Sequence, residues 1–160
     1  MTNINFQIQA LRNTDFSHLF NLSDKELKKI NAFKITVVEH PGYPCRISLE
    51  DAKIGETIIA LPYMHHDVNS PYRSSGPIFI RQNCLSVNLA TNEIPAVLNN
   101  RELSLRAYNK HSLMIDALTS KGKEVKQNIV NLLSNSNVAY IHIHNANPGC
   151  YSCRVERVIE

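Results

Sequence analysis

Two histidines and two cysteines fall within the twelve residues HIHNANPGCYSC, 142–153. Imidazole and thiol groups ligate metals, carry protons and attack electrophilic carbon, so this stretch is where chemistry is expected. The preceding residues, VAYIHIH, read as a strand. On a strand His142 and His144 share one face, roughly 6.5–7 Å apart along the chain, while Ile141 and Ile143 point to the other. The turn NANPG then brings the chain back, so that Cys150 and Cys153 can approach the histidine pair.

Three readings of the cluster stand side by side. In the first, Cys150 is a nucleophile that follows a Pro-Gly turn and His144 or His142 is its base; an unassisted thiol is only fractionally ionised at neutral pH and needs such a neighbour. In the second, His142, His144, Cys150 and Cys153 hold a structural zinc ion, since imidazole and thiolate are its preferred ligands and Cys-x-x-Cys is a usual half-site. In the third, the histidines satisfy backbone carbonyls and the cysteines pack as small hydrophobes.

A second polar concentration lies in SPYRSSGP, 70–77. Arg73 offers a planar fork of donors, Ser74 and Ser75 offer hydroxyls, and Gly76 lets backbone N–H groups approach a ligand, a set suited to a carboxylate or phosphate. Asn145 and Arg106 complete the candidate ligand contacts. Arg106 and Tyr108 share a strand face, and they line the same cleft if that face carries His144. Neighbouring histidines point apart on an extended chain, so His65 and His66, with His40, are expected as exposed histidines and not as co-ligands. The chain carries neither Gly-x-Gly-x-x-Gly nor the Gly-x-x-x-x-Gly-Lys of a phosphate loop, and no organic cofactor is implied.

These groups need a scaffold. At 160 residues the chain is expected to form one domain, 1–160, with 43% hydrophobic and 19% charged residues and a mild net charge of +3,. Lysines are scattered and Trp is absent, which argues against a nucleic-acid surface. No apolar run approaches the length of a membrane span, and the opening residues lack a basic segment followed by an apolar one. A cytoplasmic location, with reduced thiols, is therefore expected.

Alternation predicts a strand at FQIQAL with Phe6, Ile8 and Ala10 on one face. Ser23 and Glu26 mark a capped helix over LSDKELKKI. Further strands are expected at FKITVVEH, at ETIIALPY ending near Pro62, and at IFIRQ, with the polar segment HHDVNSPYRSSGP as a loop between the last two. NEIPAVLNN reads as a short helix or turn, and ELSLRAYNKHSLMIDAL as a hairpin joined through Asn109 and Lys110. Val125, Ile129, Leu132 and Leu133 recur at helical spacing in KGKEVKQNIVNLLSN. SCRVERVI closes the chain as a strand. The expected class is α+β: a mostly antiparallel or mixed sheet with two or three helices on it. An echo between PGYPCRI (41–47) and PGCYSCRV (148–155) suggests neighbouring strands, with Cys45 near Cys153.

The segments CRISLEDAKIGE, SPYRSSGPIFIR, LSLRAYN and AYIHIHNANPGCYSCRV, with the spacing between them, resemble a family of single-domain bacterial proteins of about this length known as a domain of unknown function. The resemblance runs over nearly the whole chain. It implies a bacterial, cytoplasmic, stand-alone domain with PYRSSGP and HNANPGCY as signature segments, and it brings no activity with it. The residues themselves favour a small-ligand-binding domain or an enzyme acting on an anionic small molecule. A structural zinc domain and a non-catalytic protein-interaction module are the alternatives.

Overall fold

The computed structural model describes residues 3–159. Eight strands form two antiparallel sheets. The larger holds five strands: β1 (Phe6–Gln9), β5 (Glu102–Tyr108), β6 (Met114–Lys121), β7 (Tyr140–Asn145) and β8 (Tyr151–Arg157), in the spatial order β1-β8-β7-β5-β6. The smaller holds β2 (Phe33–Thr36), β3 (Thr57–His66) and β4 (Ser74–Arg81), with β3 in the middle. Two α-helices, α1 (Asp24–Lys29) and α2 (Val125–Leu133), and four 3-10 turns complete the described elements. The α+β class therefore holds in a sheet-rich form, with two sheets where one was expected. No described helix is long and apolar enough to cross a membrane.

Strand periodicity explains the layering. In β5, β7 and β8 the residues Leu103, Leu105, Ile141, Ile143, Cys153 and Val155 face one way and pack with Phe6 and Ile8 beneath Val125, Ile129, Leu132 and Leu133 of α2. The helical spacing read from the sequence is thus the stripe that covers the sheet. Gly122, in the 3-10 turn that leads into α2, passes so close to the chain at 98–99 that an added Cβ would lie 1.9 Å from the Leu98 carbonyl oxygen. Glycine is the residue that permits this approach. Helix α1 begins as expected: the Ser23 hydroxyl accepts from Glu26 N–H, and the Glu26 carboxylate accepts from Ser23 N–H.

The opposite face of β5 and β7 carries Arg106, Tyr108, Tyr140, His142 and His144, and the three-stranded sheet closes over it. Tyr63 and Tyr151 rings lie 6.5 Å apart across this interface, and His66 lies 4.3 Å from Tyr108. Every residue of β7 is buried, so the histidine face is interior too.

Two segments differ from the sequence expectation. Strand β3 does not stop near Pro62 but continues to His66, and β4 begins at Ser74, which shortens the loop of 65–77. Pro62 sits opposite Pro77, beyond the point where β2 ceases to pair with β3. There the missing N–H of each costs little, because one side of β3 has no ladder to break. The segment CRISLE forms no strand beside β8. It is a turn pinned by isolated bridges, Pro44 to Asp51 and Cys45 to Phe79. Cys45 consequently packs with the smaller sheet, its sulfur 3.9 Å from that of Cys84, while Cys153 belongs to the core under α2. The expected Cys45–Cys153 neighbourhood is not formed.

Candidate functional site

The antiparallel pairing of β5 with β7 sets Arg106 beside His142 and Ser104 beside His144. A bulge between β7 and β8 lets Tyr151 join the same face, opposite His144. The smaller sheet contributes the end of β3 and the start of β4. As a result Ser74, Ser75, Arg106, His144 and Cys150 line one cleft of about 330 Å³ together with His65. Five of the residues singled out from the sequence therefore meet, although they come from four separate segments.

Arg73 does not join them. It is exposed and pairs with Asp67 at 3.1 Å, both side chains more than half accessible. The turn geometry of SPYRSSGP turns its guanidinium outward and its serines inward. Cys153 is likewise placed away from the cluster: it pairs with Ile143 and faces the apolar core, where burial pushes its thiol up to about 12. A zinc site built from His142, His144, Cys150 and Cys153 would need one ligand from each side of the sheet. That four-ligand set is ruled out by strand alternation.

The exposed-histidine expectation at 65–66 is also overturned. His66 is buried; its Nδ1–H donates to the Tyr72 carbonyl at 2.8 Å, and its Nε2 accepts from the Tyr140 hydroxyl at 2.6 Å. Both ring nitrogens are satisfied, so His66 is a structural link between the sheets. A bulge between Tyr63 and His66 turns His65 toward the same inner face. Both rings pack against His142, at 6.2 Å for His65 and 4.9 Å for His66, and His65 is also stacked at 5.3 Å on Tyr151 and 5.0 Å from the His144 ring. His40 is exposed, as expected, with Nδ1 at 3.1 Å from the Ala52 carbonyl.

Burial keeps the three clustered imidazoles neutral. His142 is pushed down to about 2, and His65 and His144 to about 4, in each case chiefly by loss of hydration. Cationic neighbours add to it: Arg154 acts on His142, and Arg106 on the other two. A neutral His144 has a fixed tautomer, because its Nδ1 lies 2.9 Å from the Gly149 carbonyl oxygen, which can only accept,.

On the far side of Cys150 lies a larger cleft of about 550 Å³, whose lining includes Arg46, Phe79, Arg101, Asn145, Pro148 and Cys150. Arg46 is the residue that sequence reasoning missed. Its side chain is 1% exposed, yet among the described residues it has no acidic partner. Its Nη1 donates to Ser152 Oγ and its Nη2 to Cys150 Sγ, each at 3.4 Å, and its Nε has no acceptor. Asn145 Nδ2 donates to the same sulfur at 3.3 Å, and Asn145 Oδ1 is buried without a donor. The sulfur of Cys150 therefore meets two donors, one of them a guanidinium. The signal in the sequence was the CRI triplet itself, an arginine between two core residues. Arg101, by contrast, is neutralised by a two-pronged pair with Asp51 at 2.6 and 3.0 Å.

A family model described as "Protein of unknown function (DUF1203)" matches residues 42–157. No curated protein and no solved structure matches the chain. The matched span takes in Arg46, His65, Ser74, Arg106, His142, His144, Asn145 and Cys150, and the chain belongs to this family of proteins of unknown function.

Proposed function

We propose that the protein binds a small organic acid in the larger cleft, with Arg46 as the anchor for its carboxylate and Cys150 as the reactive group beside it. One observation carries this reading: a guanidinium withdrawn from water that makes no ion pair with a carboxylate among the described residues. Removing a charge from water costs several kcal/mol unless a partner compensates, and here the acceptors among the described residues are a thiol and a distant hydroxyl. An anion entering the cleft supplies what is missing. Pro44, Pro77, Ile78, Phe79 and Pro148 form an apolar part of the lining that suits a carbon skeleton, while Asn100, Arg101, Glu102 and Asn147 make the remainder polar. Asn145 adds a donor and a free carbonyl oxygen for a polar substituent. Cys150 lies where the two donors that would hold an anion, from Arg46 and Asn145, both reach its sulfur.

Alkylation with two reagents of nearly the same shape tests the reading. Iodoacetate carries a carboxylate and iodoacetamide does not; in both the thiolate sulfur displaces iodide from carbon. Cys150 is expected to react faster with iodoacetate, with saturation, and Arg46→Met should abolish the preference. Equal or slower reaction with iodoacetate, as in the urea-unfolded chain, would refute the reading.

A further inference from the structure

Three buried ring nitrogens in the interface between the sheets lack any hydrogen-bond partner among the described residues: Nδ1 of His65, Nδ1 of His142 and Nε2 of His144. The same three side chains place one ligating atom each within 4.8 Å of the others. A buried imidazole nitrogen normally finds a partner, because leaving it bare forfeits its hydration. One such atom could be local strain. Three bare nitrogens on three side chains that converge point to an occupant that takes lone pairs.

We propose that His65, His142 and His144 bind a divalent metal ion of the zinc type through these three nitrogens, with the fourth position open to an anion. The remaining hydrogen bonds of the rings fit the proposal. His144 Nδ1–H is held by the Gly149 carbonyl, which leaves Nε2 as the lone pair. His65 Nε2 lies 3.0 Å from Ser74 Oγ, so that N–H donates to the hydroxyl while Nδ1 ligates. Partners of this kind fix ring orientation and tautomer in metal sites. The imidazoles are already neutral, the form that ligates. Zinc–nitrogen bonds of about 2.1 Å imply nitrogens about 3.4 Å apart in a tetrahedral site. From a spacing of at most 4.8 Å the set must therefore close by up to about 1.4 Å,, which His65 can supply, since it is partly exposed near the end of β3.

The surroundings select the fourth ligand. No carboxylate faces the histidines among the described residues, whereas Arg46, Arg106 and Arg154 all bear on them electrostatically. A dication added to that field is held only if an anion accompanies it, either hydroxide or an acid bound in the adjoining cleft. Three imidazoles and one exchangeable position is the composition of a catalytic rather than a structural zinc site. The ligand set rests on His65, which the sequence placed among exposed histidines, and it is independent of the role proposed for Arg46.

Full-length protein stripped with a chelator and dialysed is titrated with Zn²⁺ against a chromophoric chelator, and separately with Co²⁺ followed by its visible absorption. One Zn²⁺ per chain is expected at sub-micromolar affinity. His65→Gln should weaken it about 100-fold, and Ser74→Ala, which removes only the outer partner, about 10-fold. His111→Gln, at an exposed position, serves as the control and should change nothing. Cobalt should show intense four-coordinate bands that shift on adding azide. Absence of stoichiometric binding, or unchanged affinity in both His65→Gln and Ser74→Ala, would overturn the site. A thiolate-to-cobalt charge-transfer band would overturn the open fourth position, because Cys150 would then occupy it.

Discussion

Replacing Arg46 by methionine should make the ligand-free protein more stable while destroying its affinity for carboxylates. The cost of holding the guanidinium can be bracketed from its partners. Burial withdraws it from water almost completely, at an effective penalty of several kcal/mol. The bond to Ser152 Oγ at 3.4 Å is long beside the 2.7–2.9 Å of charge-assisted pairs, and the thiol at 3.4 Å is a weak acceptor although the distance is ordinary for sulfur, so each recovers less than the ~1.5–3 kcal/mol such bonds can contribute. Nε recovers nothing. Methionine keeps the apolar stem and fills most of the volume. The backbone bonds, Arg46 N–H to the Phe79 carbonyl and the Leu11 N–H to the Arg46 carbonyl, are untouched by the change.

Replacing buried charges by well-packed apolar groups is neutral or stabilising by about 1–4 kcal/mol. For a domain of this length each kcal/mol moves the melting temperature by about 2–4 °C. A rise of roughly 5 °C is expected for a gain of about 2 kcal/mol. Wild-type protein should gain stability as hexanoate or phenylacetate is added, by about 2.7 kcal/mol at a hundredfold excess over Kd, and the variant should gain none. Differential scanning fluorimetry with and without the acids measures both effects. If Arg46→Met instead melts several degrees lower without ligand, the guanidinium is satisfied within the fold. The case for an anion in the cleft would then fail.

Three further outcomes are expected. Tyr140→Phe removes the donor to His66 Nε2 and leaves a buried lone pair unmet, which should cost about 1–3 kcal/mol in a thermal or urea melt; an unchanged midpoint would mean the two sheets are not linked there. Gly122→Ala drives a methyl group into the Leu98 and Asn99 carbonyls, backbone atoms that cannot rotate aside, so the urea midpoint should fall by at least the ~1–3 kcal/mol typical of overpacking. The Glu56 carboxyl is held below its ordinary range, first by its hydrogen bonds from Arg81 at 2.6 and 2.7 Å. A depressed carboxyl contributes stability above its unfolded value near pH 4.3 and loses it as pH falls through the folded value. Glu56→Gln should thus destabilise at pH 7, and the difference from wild type should shrink as pH falls below the unfolded value and through the lower folded one; a gap that persists unchanged in acid would show that packing, not charge, is responsible.

Elements that depend on near neighbours in the chain were legible. The capped start of α1, the apolar stripe of α2, the β5–β6 hairpin and the two-faced alternation of β7 all follow from residue types within a few positions of one another. The histidine and cysteine stretch at 142–153 was also found, because its chemistry is concentrated in sequence. What escaped notice depends on pairings between distant segments. His65 reaches His142 and His144 only because a second sheet folds over the first, bringing together residues more than seventy positions apart. Polar residues and prolines at 62–77 carry the local signature of a loop, and only the absence of a third strand beyond Ala60 lets that segment extend as a ladder. Arg46 lies in a turn with no periodicity, so its apolar neighbours Cys45 and Ile47 were a local hint without a pattern to say that its side chain turns inward. Arg73, the arginine with the more suggestive company, faces solvent.

The interface between the two sheets argues for function on energetic grounds. Its position, between two antiparallel ladders, is one that aliphatic side chains fill best, and the other face of β7 is built that way with Ile141 and Ile143. The inner face instead carries His142 and His144 against His65, with bare nitrogens, and the adjoining turn leaves Arg46 Nε and the Asn145 carbonyl oxygen unmet. Each such atom costs on the order of 1–3 kcal/mol, a large sum beside the 5–15 kcal/mol that separates folded from unfolded domains. His66 shows that the same interface can satisfy an imidazole fully when the role is structural. The unmet atoms are therefore not a general weakness of packing here. They belong to residues that line the two clefts meeting at Cys150, and to His142 packed behind His65 and His144; a bound cation and a bound anion would satisfy opposite halves of the set.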